Sequence, residues 1–479
     1  MMFRALLCCT LFFFNLTASA KPKPYPYCKT YQSDSPTEWH VTPDDKVNSL
    51  KRALTNAKPG DRILLAGGDY NQSVHIQTPG LIIRSKEPYQ ARIIVPVDIA
   101  QHPFAVKINS KAHCTTLSDL DISGGYFYAI SLESDWSTQA SEPSVKYVQL
   151  LNNRIHGSGR DAVKIKPMVS EVTLWGNHIF SSGQRDPRNA EGIDVVNGHN
   201  LLITENLIER TATTGVYVKG GSSGVTISRN YVRNIGGAGV LLGFDTSPQF
   251  FNLIRNPQMY EALNASASFN IIENVKMAGI GVYAGYNILF RSNTLVNVAQ
   301  ETQSAILFGI SYQDKHPLAK RPASQFVELS HNLVHSAKRS LIELRMDMNE
   351  HLGALVSLVA SPNLDSNLFI SKKRGALFRD NRSQGQRNFV ALDGWHNHLY
   401  DSEDSRQSVI TGNVVGSVMI PISLASYGVE SPNSKSPPGT TDFCNNRGVA
   451  SGLSVGAIYQ TETLELSCDN RALKYLTNQ

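Results

Sequence analysis

The sequence predicts an all-β solenoid of short parallel strands stacked coil on coil, and three observations predict it. A phrase opening with Asn recurs through the middle of the chain, each copy closes in strict alternation around apolar residues, and helical periodicity is absent from the same stretch. The clear copies are NRIHGSGRDAVKIK from Asn153, NHIFSSGQ from Asn177 leading to EGIDVVN, NLIERTATTGVYVKGG from Asn206, NYVRNIGGAGVLLG from Asn230 and NIIENVKMAGIGVYAG from Asn270. Weaker copies open at Asn293, Asn332 and Asn367. In four of the five clear copies a small residue stands nine positions after the Asn, at Ala162, Gly215, Gly239 and Gly279; the fifth, Gly192, is displaced by the insert Gln184 to Ala190. A unit of β-branched strands and Gly-rich turns recurring every 23 to 40 residues cannot bury its apolar side alone, so it must stack on its neighbours. The aligned Asn residues are expected to form an amide ladder inside the stack, satisfying turn carbonyls.

With 479 residues, 41% hydrophobic and 18% charged, the chain is neither disordered nor fibrous and can fill one large core. Residues 1–20 read as a secretory signal, with Arg4, an apolar run from Ala5 to Leu16 and Ala18-Ser19-Ala20 before the cleavage point. That run is too short for a hydrocarbon core of about 30 Å, and no later stretch approaches the length of a membrane helix, so no membrane span is expected after cleavage. The protein is expected to be exported, periplasmic or secreted, and monomeric. Residues 21–48 form an N-terminal extension, 49–425 the coiled body, and 426–479 a C-terminal cap that protects the last coil from edge pairing. Within the looser region from Phe378 to Gly428, HNHLYDSEDS reads as a surface loop.

Four cysteines outlast the signal, Cys28, Cys114, Cys444 and Cys468, and an even number in an exported chain points to disulfides in one of three pairings. Cys28 with Cys114 and Cys444 with Cys468 would staple the two ends. The formal net charge of +5 is mild and unpolarised, with no dense Lys/Arg run, which suits an acidic polymer and gives no nucleic-acid footprint.

Two segments and the repeat together resemble the right-handed parallel β-helix, pectate-lyase-like superfamily of secreted bacterial proteins, over about residues 40 to 425. SLKRALTNAKPGDRILLAGGDY, Ser49 to Tyr70, looks like the amphipathic capping helix and first strand of secreted β-helix polysaccharide lyases, and TTDFCNNRGVASGLSVGAIYQ, Thr440 to Gln460, is similar to the tail that closes many bacterial β-helix proteins. The resemblance implies a single-stranded right-handed parallel β-helix with an N-terminal capping helix and a C-terminal cap. It also implies polysaccharide chemistry run by Lys, Arg and Ca²⁺-binding carboxylates. The Asp-Pro-His-Asp motif of β-helix mannuronan epimerases is absent, so the sites below rest on strand register.

Residues two apart on a strand share a face. Anchored on the small residue, Val163 and Ile165, Ile193 and Val195, Val216 and Val218, Val240 and Leu242, and Ile280 and Val282 point into the core. The positions between them are expected to face water in two columns: Lys164, Asp194, Tyr217, Leu241 and Gly281, then Lys166, Val196, Lys219, Gly243 and Tyr283. Asp161, Glu191 and Thr214 stand just before the anchors. Arg160, His199 and Asp245 border the strip, and the insert adds Arg185, Asp186 and Arg188 at its rim. Leu241, Gly243 and Gly281 read as a groove floor, on which Tyr217 and Tyr283 could stack sugar rings.

Such a strip fits cleavage of a uronate polysaccharide by β-elimination: a base takes the C5 proton while cations neutralise the adjacent carboxylate. A Lys crowded by other cations has a lowered pKa and can act as base, so Lys164 and Lys219 are the candidate bases and Tyr217 the acid or alternative base. Arg160, Lys166, Arg188, Asp245 and Tyr283 would bind the acidic polysaccharide, and Asp161, Glu191 and Asp194 would hold Ca²⁺. A C5-epimerase shares the proton abstraction, a glycoside hydrolase could use Asp161 with Glu191, and a non-catalytic glycan-binding or structural solenoid would keep the charges only as cross-strand pairs.

Overall fold

The computed structural model describes residues 21–44, 47, 49–134, 144–312, 320–336, 338–371, 373, 375–382 and 387–401, with short stretches at 410–411, 414–416, 428–430, 454–456 and residue 471. The signal reading and the pairing of Cys444 with Cys468 lie outside these residues.

Each coil hands its three strands to three sheets in turn. One coil runs Lys146–Leu151, Arg154–His156, Val163–Ile165; the next runs Ser170–Trp175, His178–Phe180, Ile193–Val196. Among the described residues, repeating this builds sheets of 13, 12 and 12 strands whose neighbours are successive coils, except that Arg387–Phe389 ends the second sheet antiparallel to Phe378–Asp380. Along the second sheet we label β1 (Val163–Ile165), β2 (Ile193–Val196), β3 (Val216–Lys219), β4 (Val240–Leu242) and β5 (Ile280–Tyr283), all paired in parallel. Their anchored apolar residues, Val163 through Val282, are all at most 1% exposed, as the alternation requires.

The Asn ladder runs down the same core. The backbone N–H and Nδ2 of Asn153 both donate to Asn177 Oδ1, at 2.9 and 3.1 Å, and Asn177, Asn206, Asn230, Asn270, Asn293 and Asn332 repeat the pattern up to Asn367. The second Nδ2 hydrogen goes to a carbonyl of a preceding coil, as from Asn230 to Ile203 at 2.9 Å. Each buried amide thus meets the donors of the coil before it and a carbonyl that the turn would otherwise orphan.

The ends depart from the sequence reading in two places. Glu38–Val41, inside the extension, pairs in parallel with Arg62–Leu65, so the first sheet begins one strand before residue 49. Helix α1 (Leu50–Asn56) follows, its Ser49 Oγ accepting from Arg52 N–H and its Leu50 and Ala53 closing the core. The supposed loop HNHLYD belongs to helix α2 (Leu392–Asp401). Leu392, Trp395 and Leu399, at three- and four-residue spacing, form one buried face, with Trp395 fully buried and stacked on Phe378 at 5.3 Å. Cys28 pairs with Cys114, closing a separation of 86 residues.

An interior rung should matter far more than a surface one. Asn230→Ala is expected to cost about 3 kcal/mol or more, because donors and carbonyls on both sides lose partners, while Asn287→Gly, which breaks the exposed Asn264 pair and suits the left-handed backbone at φ 57°, should stay within about 0.5 kcal/mol. Urea midpoints of the two variants check this.

Candidate functional site

Register brings the expected residues together: Lys164 is opposite Asp194, Asp194 opposite Tyr217, Tyr217 opposite Leu241 and Leu241 opposite Gly281, while Lys219 pairs with Val196. The columns are not, however, bathed in water. Lys164, Asp194, Tyr217 and Leu241 are only 6, 1, 5 and 5% exposed. Part of the cover is the segment after β4, which folds back so that the Phe244 ring lies edge-on to Tyr217 at 5.4 Å and to Tyr283 at 4.9 Å. These rings, with Leu241, Ala278 and Leu307, make a small second core on the outside of the sheet. The expected groove floor is therefore filled, and Tyr283, at 3% exposed, offers no open face to a sugar.

Charge is packed just as tightly. The Lys164 ammonium donates to Asp194 Oδ2 and lies 3.5 Å from Asp161 Oδ2; Lys219 reaches Asp194 Oδ1 at 3.5 Å and sits 3.9 Å above the Tyr217 ring. Burial pulls Lys164 towards neutrality, but Asp194 and Asp161 override it and hold the ammonium charged beyond the usual lysine range. Burial also pushes Asp194 up, and Lys164 and Lys219 reverse this to hold it low. For Asp161 burial wins over Lys164, reinforced by Glu191 and Asp194, so its carboxyl keeps a proton well above the ordinary range. The premise for Lys164 as base is thus corrected: carboxylates surround it, not cations. Tyr217 is pushed well up by burial and by the charges of Glu191 and Asp194, which suits an acid and opposes a base.

Ligand atoms of Asp161, Glu191 and Asp194 lie within 4.8 Å of one another, the acidic cluster that a cation would need. Glu191 Oε2 is buried without a hydrogen-bond partner among the described residues. Yet the Lys164 ammonium lies against two of the three carboxylates, donating to Asp194 Oδ2 and standing 3.5 Å from Asp161 Oδ2. With its positive charge already built in, this donor set does not fit Ca²⁺.

The remaining expected residues form a rim. Arg160 donates to Asp186 at 3.0 Å and stacks on Phe127, and Arg188, 94% exposed, lies 4.0 Å from the same carboxylate. Lys166 pairs with Glu133 at 2.7 Å, beside an open groove of about 510 Å³ lined by Lys107, Lys111 and Glu133. Asp245 is pushed up to about 6 by burial, against the Tyr312 N–H and Arg321, and feels the Lys219 charge. His199 begins a strand of the first sheet, bonded to Ser223, and is not part of the strip's two columns.

Glu133, Phe244, Glu261 and Arg321 escape the sequence reading. Glu133 could have been found by extending the columns one coil back, since Ser131 is in register with Lys164. Glu261 and Arg321 leave no such signal, being 60 residues apart, yet both side chains are fully buried and paired at 3.0 Å. Glu261 also accepts from Gly220 N–H at 2.7 Å and from Thr246 N–H and Oγ1, tying the turn after Lys219 to the segment that carries Phe244 and Asp245.

Residues 104–252 match the family model for the right handed beta helix region, and the coils on either side continue the same winding. The fold is a right-handed parallel β-helix. No curated protein matches the sequence. Among solved structures, the β-helix is similar to pectate lyase Pel9A at 13% identity, covering 57% of this chain and 78% of that one with a TM-score of 0.41. It is similar to the catalytic domain of GH87 α-1,3-glucanase at 13% identity, covering 82% and 70% with a TM-score of 0.45. It is also similar to PfbA, a surface adhesin of Streptococcus pneumoniae, at 12% identity, covering 71% and 89% with a TM-score of 0.45. These likenesses concern the fold alone. No helix among the described residues is long and apolar enough to cross a membrane.

Removing the internal cation should expose the cluster. Wild-type protein is expected to show no shift in melting temperature on adding Ca²⁺, whereas Lys164→Met, which vacates the position against Asp194 and Asp161, should be stabilised by it; differential scanning calorimetry with Ca²⁺ and chelator reads both.

Proposed function

We propose that the protein is an exported carbohydrate-active enzyme that cleaves an acidic, uronate-containing polysaccharide by β-elimination on the outer face of the second sheet. The observation that carries this reading is the placement of Lys219: its side chain is 15% exposed, its ammonium is held between Asp194 and the Tyr217 ring, and Asp245 lies within reach of its charge. The Cys28–Cys114 disulfide supports export, since such bonds persist in oxidising compartments.

Lys219, with Lys166 and Arg160 at the rim, neutralises the substrate carboxylate and so acidifies the C5 proton. No Ca²⁺ is needed for that step. Asp245, pushed up to about 6, is ionised at pH 7 and takes the proton. The C5–H electron pair becomes the second bond between C4 and C5, and the C4–O bond breaks. The leaving oxygen takes its proton from water, since Tyr217, 5% exposed beneath the Phe244 ring, does not reach the substrate.

A second reading, glycoside hydrolysis, is favoured by one observation. Asp161 is driven up and Asp194 down within one cluster, the split that separates a general acid from an ionised carboxylate.

Incubation with pectate, alginate and glycosaminoglycans should raise ultraviolet absorbance as unsaturated uronate ends form, equally with Ca²⁺ and with chelator. The rate should rise with pH through about 6 as Asp245 loses its proton, and Asp245→Asn should lower it at least about 100-fold. New reducing ends without absorbance would replace elimination by hydrolysis, and no change in any polymer would overturn the enzymatic reading in favour of a binding solenoid.

A further inference from the structure

Residues 24–36 cross the outer face of the first sheet as a strap, and beneath it lies a cavity of about 380 Å³, within the range of ligand pockets. The strap is tethered on both sides of this space. Gln149 Nε2 donates to the Lys23 carbonyl at 3.0 Å, Tyr25 Oη bonds Thr173 Oγ1 at 2.8 Å, and Cys28 is bonded to Cys114. At the far side Tyr31 is seated on Gly60 and Gly80, where an added Cβ would fall 2.3 Å from the Tyr31 carbonyl oxygen and 2.7 Å from its Cβ. The cavity is therefore built between fixed points.

Three tyrosines, Tyr25, Tyr31 and Tyr147, are among its lining residues. Tyr147 stacks on Tyr27 at 4.7 Å and meets the edge of Tyr25 at 5.4 Å, and Tyr27 is 50% exposed. Tyr147 holds a left-handed backbone, φ 62°, at a register position that later coils fill with Glu171, Asn200, Gly224, Asn264, Asn287 and Phe326. Among the described residues, Arg62 is the only charged one lining the space. Its neighbour Asp61 is committed elsewhere, accepting from Thr37 N–H at 2.9 Å, Trp39 Nε1 at 3.0 Å and Lys58 N–H at 2.9 Å.

Aromatic walls, one guanidinium and the Gln149 and Thr116 side chains together match a sugar ring bearing a carboxylate. We propose that the strap cavity is a second, non-catalytic glycan site that takes a uronate residue of the same polymer. The polymer's identity rests on the function proposed above; the site does not share a residue with the strip. Sitting on another sheet, it would hold a long chain near the strip and raise its local concentration.

Calorimetric titration of full-length Lys219→Ala protein with oligogalacturonate, oligoalginate and a neutral cello-oligosaccharide tests this without relying on catalysis. One oligouronate should bind in preference to the neutral sugar. Tyr147→Asn, which removes the ring and suits the left-handed backbone, and Arg62→Gln should each weaken that binding about tenfold, with thermal melts showing both folded. In a wild-type background the same two variants should leave turnover of short soluble oligomers unchanged. No binding of either oligouronate, binding untouched by both substitutions, or equal affinity for the neutral sugar would each overturn the site. Absence of cleavage by the wild-type protein with binding intact would strike only the lyase reading.

Discussion

The parallel register of the coils is the constraint on which everything else in this protein depends, and the internal amide ladder is what holds it. Each interior Asn side chain is spoken for on both sides: its oxygen takes two donors from the coil before it, and its Nδ2 serves the next oxygen and a strand carbonyl of a preceding coil. A coil shifted by one residue would break those bonds and turn its apolar row outward at once. Residues 30 apart, such as Lys164 and Asp194, can therefore be strand neighbours without any local sequence relation.

On that frame a charged cluster has been folded into the wall of the solenoid. Two lysines and three carboxylates share a small buried volume, which is tolerable only because opposite charges touch. The same burial that raises Asp161 strengthens the hold of Asp194 on Lys164, since both act in a low dielectric. The fully buried Glu261–Arg321 pair anchors the segment that covers this cluster, so the position of Asp245 is set by two residues outside the repeat.

The sequence made the repeat, the core alternation and the two outward columns legible, because each follows from a period of two and a fixed offset from Asn, while the capping helix at Leu50–Asn56 was legible through the resemblance of the segment Ser49 to Tyr70 to β-helix caps. It misplaced the solvent. Lys164 and Tyr217 looked exposed because alternation says which side of a strand a residue takes, and nothing about what lies over that side. Helix α2 was hidden differently: Leu392, Trp395 and Leu399 do carry helical spacing, but polar residues around them drew the eye to a loop.

By itself the sequence determined the solenoid, its register and hence which side chains share a column, since stacking identical units leaves few ways to bury their apolar face. Only the tertiary structure decided the electrostatic roles within a column. Whether a lysine is a base or a locked cation depends on which charges the neighbouring coils and the returning segments bring within a few ångströms, and those segments, around Phe244, Glu261 and Arg321, lie outside the repeat that the sequence can be read by.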